Sequence, residues 1–274
     1  MKPAPFDYVA AQSLDEALHL LAHRPGARLL AGGQSLIPML NMRLLTPPLL
    51  IDVMQIPALE KIKEIPDGVE IGATVTQAAC LAWPGIEDLQ PLLTLVLPLV
   101  GHYQTRQRGT VCGSLAHADP SSELPLIVAL LDGELVLQRL GKTRILKARD
   151  FQLGAMATAL APGEMIVACR IRQRRTGEVY AFREVSQRHG DFAMVAMALV
   201  ADARGVRIGV AGVAQTPTLL DLPWLEGAPL ETALNEFAWQ LGARDDLHAS
   251  AAYRRGLVRN LGRALVREIA DAGA

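Results

Sequence analysis

The sequence contains few of the residue groups that bind metal clusters. Its three cysteines, Cys80, Cys112 and Cys169, are scattered over 274 residues and form no CxxC pair. The chain therefore has no local signature of an iron–sulfur or zinc cluster. Scattered cysteines of this kind are typical of reduced thiols in the cytoplasm. The pattern predicts a cytoplasmic protein that holds no cluster of its own.

The sequence also lacks an excess of charge and a long apolar run. Its 27 lysines and arginines nearly balance 28 aspartates and glutamates, which argues against a nucleic-acid-binding protein. The longest apolar runs, PLLTLVLPLV and LPLIVALL, are too short to span a bilayer, and the N-terminus has no apolar signal core. Because 50% of the residues are hydrophobic, we expect an ordered protein of two or three domains.

Short apolar segments alternate with amphipathic ones in the first half of the chain. Ser13 and Glu16 form a capping-box pattern ahead of an apolar stripe, which predicts a helix that begins near Leu14. The segments ARLLA, PLLIDV and VEIGA predict short strands. This mixture favours an α+β or α/β fold.

Residues 172–178, RQRRTGE, form a polar and basic segment that predicts a domain junction. The pattern of predicted elements changes after it. Beyond it, VYAFREVS, FAMVAMALVADA and VRIGVAGVA predict antiparallel strands, the last two joined by a turn at 203–205. Two predicted helices follow. A leucine stripe on the second helix predicts its buried side, and a solvated face is expected for its arginines, which are Arg254, Arg255, Arg259, Arg263 and Arg267.

Two glycine-rich loops stand beside apolar segments, and each combines glycine with hydroxyl side chains. They read AGGQS at 31–35 and TVCGS at 110–114. Glycine lets backbone N–H groups approach a ligand closely, and successive N–H groups form a concave nest for phosphate oxygens. Such loops are also common as tight turns, and neither GxGxxG nor GxxxxGK[ST] occurs. The residues alone leave both a phosphate site and two structural turns open.

Four motifs occur in a defined order along the chain: AGGQSLIPMLNMRL, LIDV, RGTVCGSLAHADPSSELP and REVSQRHGDFA. In this order and at these distances they closely resemble the FAD-binding medium subunit of molybdenum hydroxylases. That family includes xanthine dehydrogenase and aerobic carbon monoxide dehydrogenase. The resemblance covers nearly the whole chain and is far more specific than a single glycine loop.

The resemblance implies an α+β protein with an FAD-binding fold of the vanillyl-alcohol-oxidase (PCMH) type. Two FAD-binding subdomains, residues 1–56 and 57–174, would hold an extended FAD between them. Residues 175–274 would form a C-terminal α+β domain with a three-stranded antiparallel sheet.

The resemblance also assigns residues to the cofactor. Both glycine loops would contact the FAD diphosphate, Glu123 would lie near the ADP-ribose, and Met165 would lie near the flavin ring, with Arg183 at a basic position. The FAD-binding residues implied in this way are Ala31, Gly32, Gly33, Gln34, Ser35, Leu36, Thr110, Gly113, Ser114, His117, Glu123, Met165 and Arg183. No catalytic acid or base and no metal site are implied in this chain.

In this family the organic substrate is hydroxylated at a molybdopterin centre in a large partner subunit. Two [2Fe-2S] clusters in a small subunit then deliver electrons to the FAD. The resemblance therefore implies an electron-transfer subunit, in a dimer of heterotrimers, that passes electrons to an external acceptor. Two alternatives stay open: a free-standing FAD-dependent oxidase and a flavin-free assembly subunit.

One position departs from the family pattern, because Cys112 stands where the second loop usually has the first of two glycines. A side chain directed at the cofactor would crowd it, whereas a small thiol directed inward would be an ordinary core residue. We expect the inward orientation because Gly113 and the flanking residues are retained. Replacement Cys112→Gly should then leave the flavin content of the purified protein unchanged. A large gain in bound FAD would show instead that the cysteine obstructs the site.

Overall fold

The sheets follow one another along the chain. In the computed structural model, which describes residues 2–273, the first sheet contains β1 (Asp7–Ala10), β2 (Arg28–Leu30) and β3 (Leu49–Asp52), with α1 (Leu14–His23) and α2 (Leu36–Asn41) between them. Its strands are parallel and lie in the order β1-β3-β2. The predicted start of α1 is confirmed, because the Ser13 hydroxyl accepts the N–H of Glu16 at 3.1 Å.

The second sheet is antiparallel and larger. Residues 62–172 supply β4 (Ile62–Ile65), β5 (Gly68–Gly72), β6 (Glu134–Arg139), β7 (Lys142–Lys147), β8 (Gln152–Gly154), β9 (Ala157–Thr158) and β10 (Met165–Arg172). Five of them form the sheet in the order β4-β5-β10-β6-β7, and β8 pairs with β9 as a separate hairpin. Between β5 and β6 lie α3 (Gln77–Leu81), α4 (Ile86–Leu89), α5 (Pro91–Val96), α6 (Tyr103–Arg108), α7 (Val111–His117) and α8 (Glu123–Leu130).

Helix α8 is the centre of the main hydrophobic core. All eight of its residues are buried, as expected for a helix that is apolar on every side. It packs directly on the C-terminal sheet, where a Cβ added at Gly209 would lie 2.7 Å from a methyl group of Leu126. The same core also contains Val69 and Ile71 of the five-stranded sheet. One continuous core therefore joins both sheets through α8.

The C-terminal sheet has four strands, so the expectation of three was wrong. Its strands are β11 (Val179–Val185), β12 (Val195–Asp202), β13 (Gly205–Ala211) and β14 (Thr218–Leu222), antiparallel and in that order. The turn predicted at 203–205 joins β12 and β13. The unpredicted strand β14 reads TLLDL, a short run without a clear alternation. Its stability comes from cross-strand contacts, such as the 2.7 Å pair of Asp221 with Arg207 on β13.

Two helices cover the outer face of this sheet: α9 (Gly227–Gln240) and α10 (Ala251–Gly273). Leu265 is buried, and Leu257 and Leu261 pack against the second core as the leucine stripe predicts. Arg254 departs from the expected solvated face, because only 5% of its surface is exposed. Among residues 2–273, no helix is both long enough and apolar enough to cross a membrane.

A buried ion pair fixes the junction between the second and third sheets. Arg172, the last residue of β10, donates two hydrogen bonds of 2.7 Å to the carboxylate of Glu178. The same carboxylate accepts the Tyr180 hydroxyl at 2.6 Å and the Arg175 N–H at 2.9 Å. Burial opposes ionisation of Glu178, but the hydrogen bonds from Arg172 and Tyr180 outweigh it, so the pKa of Glu178 is lowered. Hydrogen bonds to Glu178 therefore hold the junction, residues 172–180, in an ordered turn.

Replacement Glu178→Gln should destabilise the protein by about 3 kcal/mol at neutral pH, because it leaves the Arg172 guanidinium buried without its counter-charge. Chemical unfolding of both proteins measures this difference. Because the folded-state pKa is lowered, the stabilisation is present above the ordinary carboxyl pKa of 4.5 and is lost as the pH falls below it. The two proteins should therefore converge in acid. The exposed Glu64 provides a control, and a Glu178→Gln protein as stable as Glu64→Gln would contradict this account.

Candidate functional site

The two glycine loops predicted from the sequence lie against each other. A Cβ added at Gly32 would lie 1.9 Å from the carbonyl oxygen of Arg108 and 2.8 Å from the Cα of Gly109. These distances are far below any van der Waals contact, so no side chain fits at this position. The first loop therefore touches, backbone to backbone, the segment that leads into the second loop.

The first loop connects the end of β2 to the start of α2. Gly33 has a φ of 72°, in the left-handed region that favours glycine. The carbonyl of Gly32 accepts the Gln34 side-chain amide at 3.0 Å, and the carbonyl of Gly33 accepts the Ile37 N–H at 3.0 Å. No group of residues 2–273 accepts a hydrogen bond from the N–H groups of Gly32, Gly33, Gln34 or Ser35. The loop is thus a nest whose donors are available to an anion.

The second loop is held by a helix cap. Thr110 is 2% exposed, and its hydroxyl accepts the N–H of Gly113 at 2.9 Å at the start of α7. A Cβ at Gly113 would lie 2.7 Å from that hydroxyl oxygen, so the close cap depends on glycine. The Ser114 hydroxyl lies 2.8 Å from the Ser122 hydroxyl, which precedes α8. The loop is therefore held at the start of α7 and is joined through Ser114 to the residue before α8.

Cys112 points into the protein, as expected. It is 3% exposed, and its Sγ lies 3.7 Å from the carbonyl oxygen of Ile71 on β5. Cys80 and Cys169 belong to the same core. Burial raises the pKa of the Cys112 thiol to about 12, so the thiol is protonated and unreactive at neutral pH. Its side chain does not narrow the loop.

Gln77, a buried residue that the sequence motifs did not indicate, contacts the residue before the second loop. The N–H of Gln77 donates to the carbonyl of Gly109 at 2.8 Å. Gln77 is 4% exposed, and its Oε1 has no hydrogen-bond partner among the described residues. A Cβ at Gly109 would lie 3.3 Å from that oxygen. Gly109 and Gln77 thus belong to the site, and the only sequence signal for either was the glycine in RGT.

The polar segment after α7 brings two acidic residues and a histidine near the second loop. The His117 Nε2 lies 4.0 Å from a carboxylate oxygen of Asp119, and the other oxygen of Asp119 accepts the Ser121 N–H at 2.8 Å. Glu123 begins α8 and is 3% exposed. Burial, together with the nearby Glu184 and Asp119, raises the pKa of Glu123 to about 8. At neutral pH its carboxyl group is therefore protonated and can donate a hydrogen bond.

The remaining predicted residues lie in different settings. Leu36 is half-buried as the first residue of α2, and Ala31 is half-buried at the start of the first loop. Met165 begins β10, and its side chain is 2% exposed within the main core. Arg183 lies on β11 and donates to Glu268 of α10 at 2.7 Å. Its guanidinium is therefore directed to the helix-covered face of the C-terminal sheet, and the structure does not bring it to the loops.

The geometry fits a group with a diphosphate. The first loop touches the backbone directly before the second loop where a Cβ would prevent it, and the first loop offers unpaired N–H donors. Backbone N–H groups in such nests bind phosphate oxygens without lysine or arginine.

Comparisons with known proteins agree with a site for a cofactor that contains a diphosphate. Residues 4–172 match the family described as the FAD binding domain in molybdopterin dehydrogenase. The chain is 35% identical over 288 residues to the nicotine 6-hydroxylase medium subunit of Paenarthrobacter nicotinovorans, with 100% of this chain and 99% of the relative covered. It is 35% identical over 246 residues to the carbon monoxide dehydrogenase medium chain of Afipia carboxidovorans, with 83% and 85% covered.

A solved structure extends this similarity to the fold. Quinoline 2-oxidoreductase from Pseudomonas putida 86 superposes with a TM-score of 0.93 at 30% identity, and the match covers 100% of this chain and 99% of that one. The sequence and fold matches together confirm the resemblance carried by the four motifs. The chain belongs to the family of FAD-binding medium subunits of molybdenum hydroxylases.

Proposed function

We propose that this chain is the FAD-binding electron-transfer subunit of a heterotrimeric molybdenum hydroxylase. Bound FAD would accept electrons from the [2Fe-2S] clusters of a small partner subunit and pass them to an external acceptor. Substrate hydroxylation would take place at the molybdopterin of a large partner subunit. The observation that carries the proposal is the direct contact of the first glycine loop, at Gly32, with the backbone of Arg108 and Gly109 immediately before the second loop.

The chain's own residues would bind and orient the cofactor. The free N–H groups of Gly32–Ser35 would donate to the FAD diphosphate, and the Thr110 cap would hold the second loop in place beside them. Glu123, whose burial keeps it protonated at neutral pH, would donate to and accept from the hydroxyl groups of the ADP-ribose. His117 and Ser114 would lie along the same side of α7.

The side chains of two predicted FAD-binding residues, Met165 and Arg183, are left out of the proposed FAD site. The buried side chain of Met165 leaves its backbone, at the start of β10, as the part that would face the flavin. Arg183 is engaged by Glu268, and we therefore leave it out of the proposed cradle. No residue is proposed as a catalytic acid or base, because the chain positions the cofactor and the reaction of the organic substrate belongs to a partner.

The wider organisation is also part of the proposal. We keep the three-part division into residues 1–56, 57–174 and 175–274, since the first, second and third main sheets come from these ranges in turn. Assembly as a dimer of heterotrimers and a cytoplasmic location are proposed on the same family grounds. The match to medium subunits over the full chain favours a subunit over a free-standing oxidase. The inward orientation of Cys112 disfavours a flavin-free assembly role.

The first test is the visible absorption spectrum of the purified chain, followed by release and identification of the flavin. We expect one FAD per chain, because the two-loop cradle accommodates a dinucleotide. The sample should be prepared both alone and together with the large and small subunits. A colourless protein that fails to take up added FAD, even with its partners present, would refute the proposed function.

Replacement Gly32→Ala should weaken FAD binding by about tenfold or more. The new methyl group would overlap the Arg108 carbonyl and push the loops apart, and overpacking of this kind costs about 1–3 kcal/mol. Gly256→Ala is the matched control, because a Cβ at this position in α10 meets no atom within 4 Å. Titration of the flavin-free proteins with FAD, followed by flavin fluorescence, measures both affinities. Equal affinities for the two variants would show that contact of the loops is not needed.

A further inference from the structure

Arg254, in the first turn of α10, is buried and makes three hydrogen-bonded contacts. Its guanidinium donates to the carbonyl of Met194 at 2.6 Å, to the carbonyl of Gly212, and to the carboxylate of Asp246 at 2.5 Å. Only 5% of the residue is exposed, and its Nε has no partner among the described residues. Burial of a guanidinium is costly unless several such bonds compensate it. Its position therefore calls for an explanation beyond a solvated helix face.

The two carbonyls belong to the two loops at one end of the C-terminal sheet. Met194 ends the loop between β11 and β12, and Gly212 begins the loop between β13 and β14. Gly212 has a φ of 82°, and a Cβ there would lie 2.8 Å from the carbonyl oxygens of both Ala193 and Met194. The loops are thus in backbone contact, and one guanidinium bridges them.

Each of these loops reaches one part of the cofactor site. The N–H of Gly212 donates to the carbonyl of Pro120 at 2.8 Å, in the polar segment between α7 and α8. In the other loop, a Cβ at Gly190 would lie 2.5 Å from the Nδ1 of His102, the residue before α6. Helix α6 ends at Arg108, whose carbonyl lies against Gly32. The two paths from Arg254 therefore reach the two sides of the second glycine loop, namely α6, which precedes it, and the segment that follows α7.

Asp246 orients the guanidinium from the surface. One oxygen of its carboxylate accepts the N–H groups of His248 and Ala249 at 2.8 and 2.9 Å, and the other accepts Arg254. The hydrogen bond from Arg254 is the main reason why the pKa of Asp246 is lowered to about 2. Asp246 is therefore ionised at all physiological pH values, and its carboxylate is held in place to accept the guanidinium.

We infer that Arg254 is a positioning residue for FAD: it bridges the Met194 and Gly212 carbonyls and so holds two loops of the C-terminal sheet against the segments on either side of the second glycine loop. This inference depends on the proposed function, since it concerns the same cofactor. It gives the C-terminal sheet and α10 a part in cofactor binding although none of their residues needs to touch the FAD.

The test compares Arg254→Met with Arg259→Met in the full chain. Within residues 2–273, the one side-chain hydrogen bond of Arg259, which lies five residues further along α10, goes to Asn235 of α9 at 2.9 Å, so its loss weakens the same helix without affecting either loop. We expect Arg254→Met to weaken FAD binding by about tenfold and to alter the visible circular dichroism of the FAD-saturated protein. Arg259→Met should keep both the wild-type affinity and the wild-type spectrum, even where the two variants lose similar thermal stability.

Arg254→Lys decides the matter if Arg254→Met does not fold, as shown by far-ultraviolet circular dichroism. Lysine keeps the charge beside Asp246, but a single ammonium group lacks the fork in which one nitrogen, Nη1, donates to both carbonyls while the other, Nη2, donates to Asp246, so affinity should again fall and the flavin spectrum should change. Wild-type affinity and spectrum in a folded Arg254 variant would overturn the inference. If the wild-type chain binds no FAD even with the large and small subunits present, the proposed function fails; if wild type and variants bind it equally, only the role of Arg254 fails.

Discussion

The site depends on one contact between two stretches of backbone, at Gly32 and Arg108. Neither stretch has a side chain that recognises a ligand at this point, and the contact exists because Gly32 has no Cβ. Glycine in an ordered loop costs more backbone entropy than other residues. That cost is offset only if the close approach of the loops is needed. The spacing between the two stretches of backbone is therefore set by the absence of a Cβ at Gly32.

Helix α8 connects the site to the main hydrophobic core. It begins directly after the polar segment beside α7 and is buried along its whole length between two sheets. Glu123 stands at its first position, so a carboxyl group that would be solvated in an ordinary amphipathic helix is forced into the interior. Its raised pKa follows from the place of α8 in the core. The polar part of the site and the apolar core thus meet at a single residue.

Local signals in the sequence predicted the parts of the structure that local forces determine. The capping box at Ser13, the two glycine loops and the hairpin at 203–205 depend on residues a few positions apart. Strand β14 and the buried Arg254 depend on partners far away in the chain, namely Arg207 and the carbonyls of Met194 and Gly212. Charge and helical periodicity alone placed Arg254 on the wrong face. No local pattern encodes which carbonyl groups a loop will present to a helix.

The three cysteine thiols of this subunit are unreactive because they are buried. Cys80, Cys112 and Cys169 lie within one core, and burial raises the pKa of each thiol. Because the thiolate is the nucleophile and the metal ligand, protonated thiols in this core are inert. The polar groups at the site include the unpaired N–H groups of the first loop and the side chains of Ser114, His117 and Glu123. Such groups can bind and orient a dinucleotide, which is the role proposed for this chain.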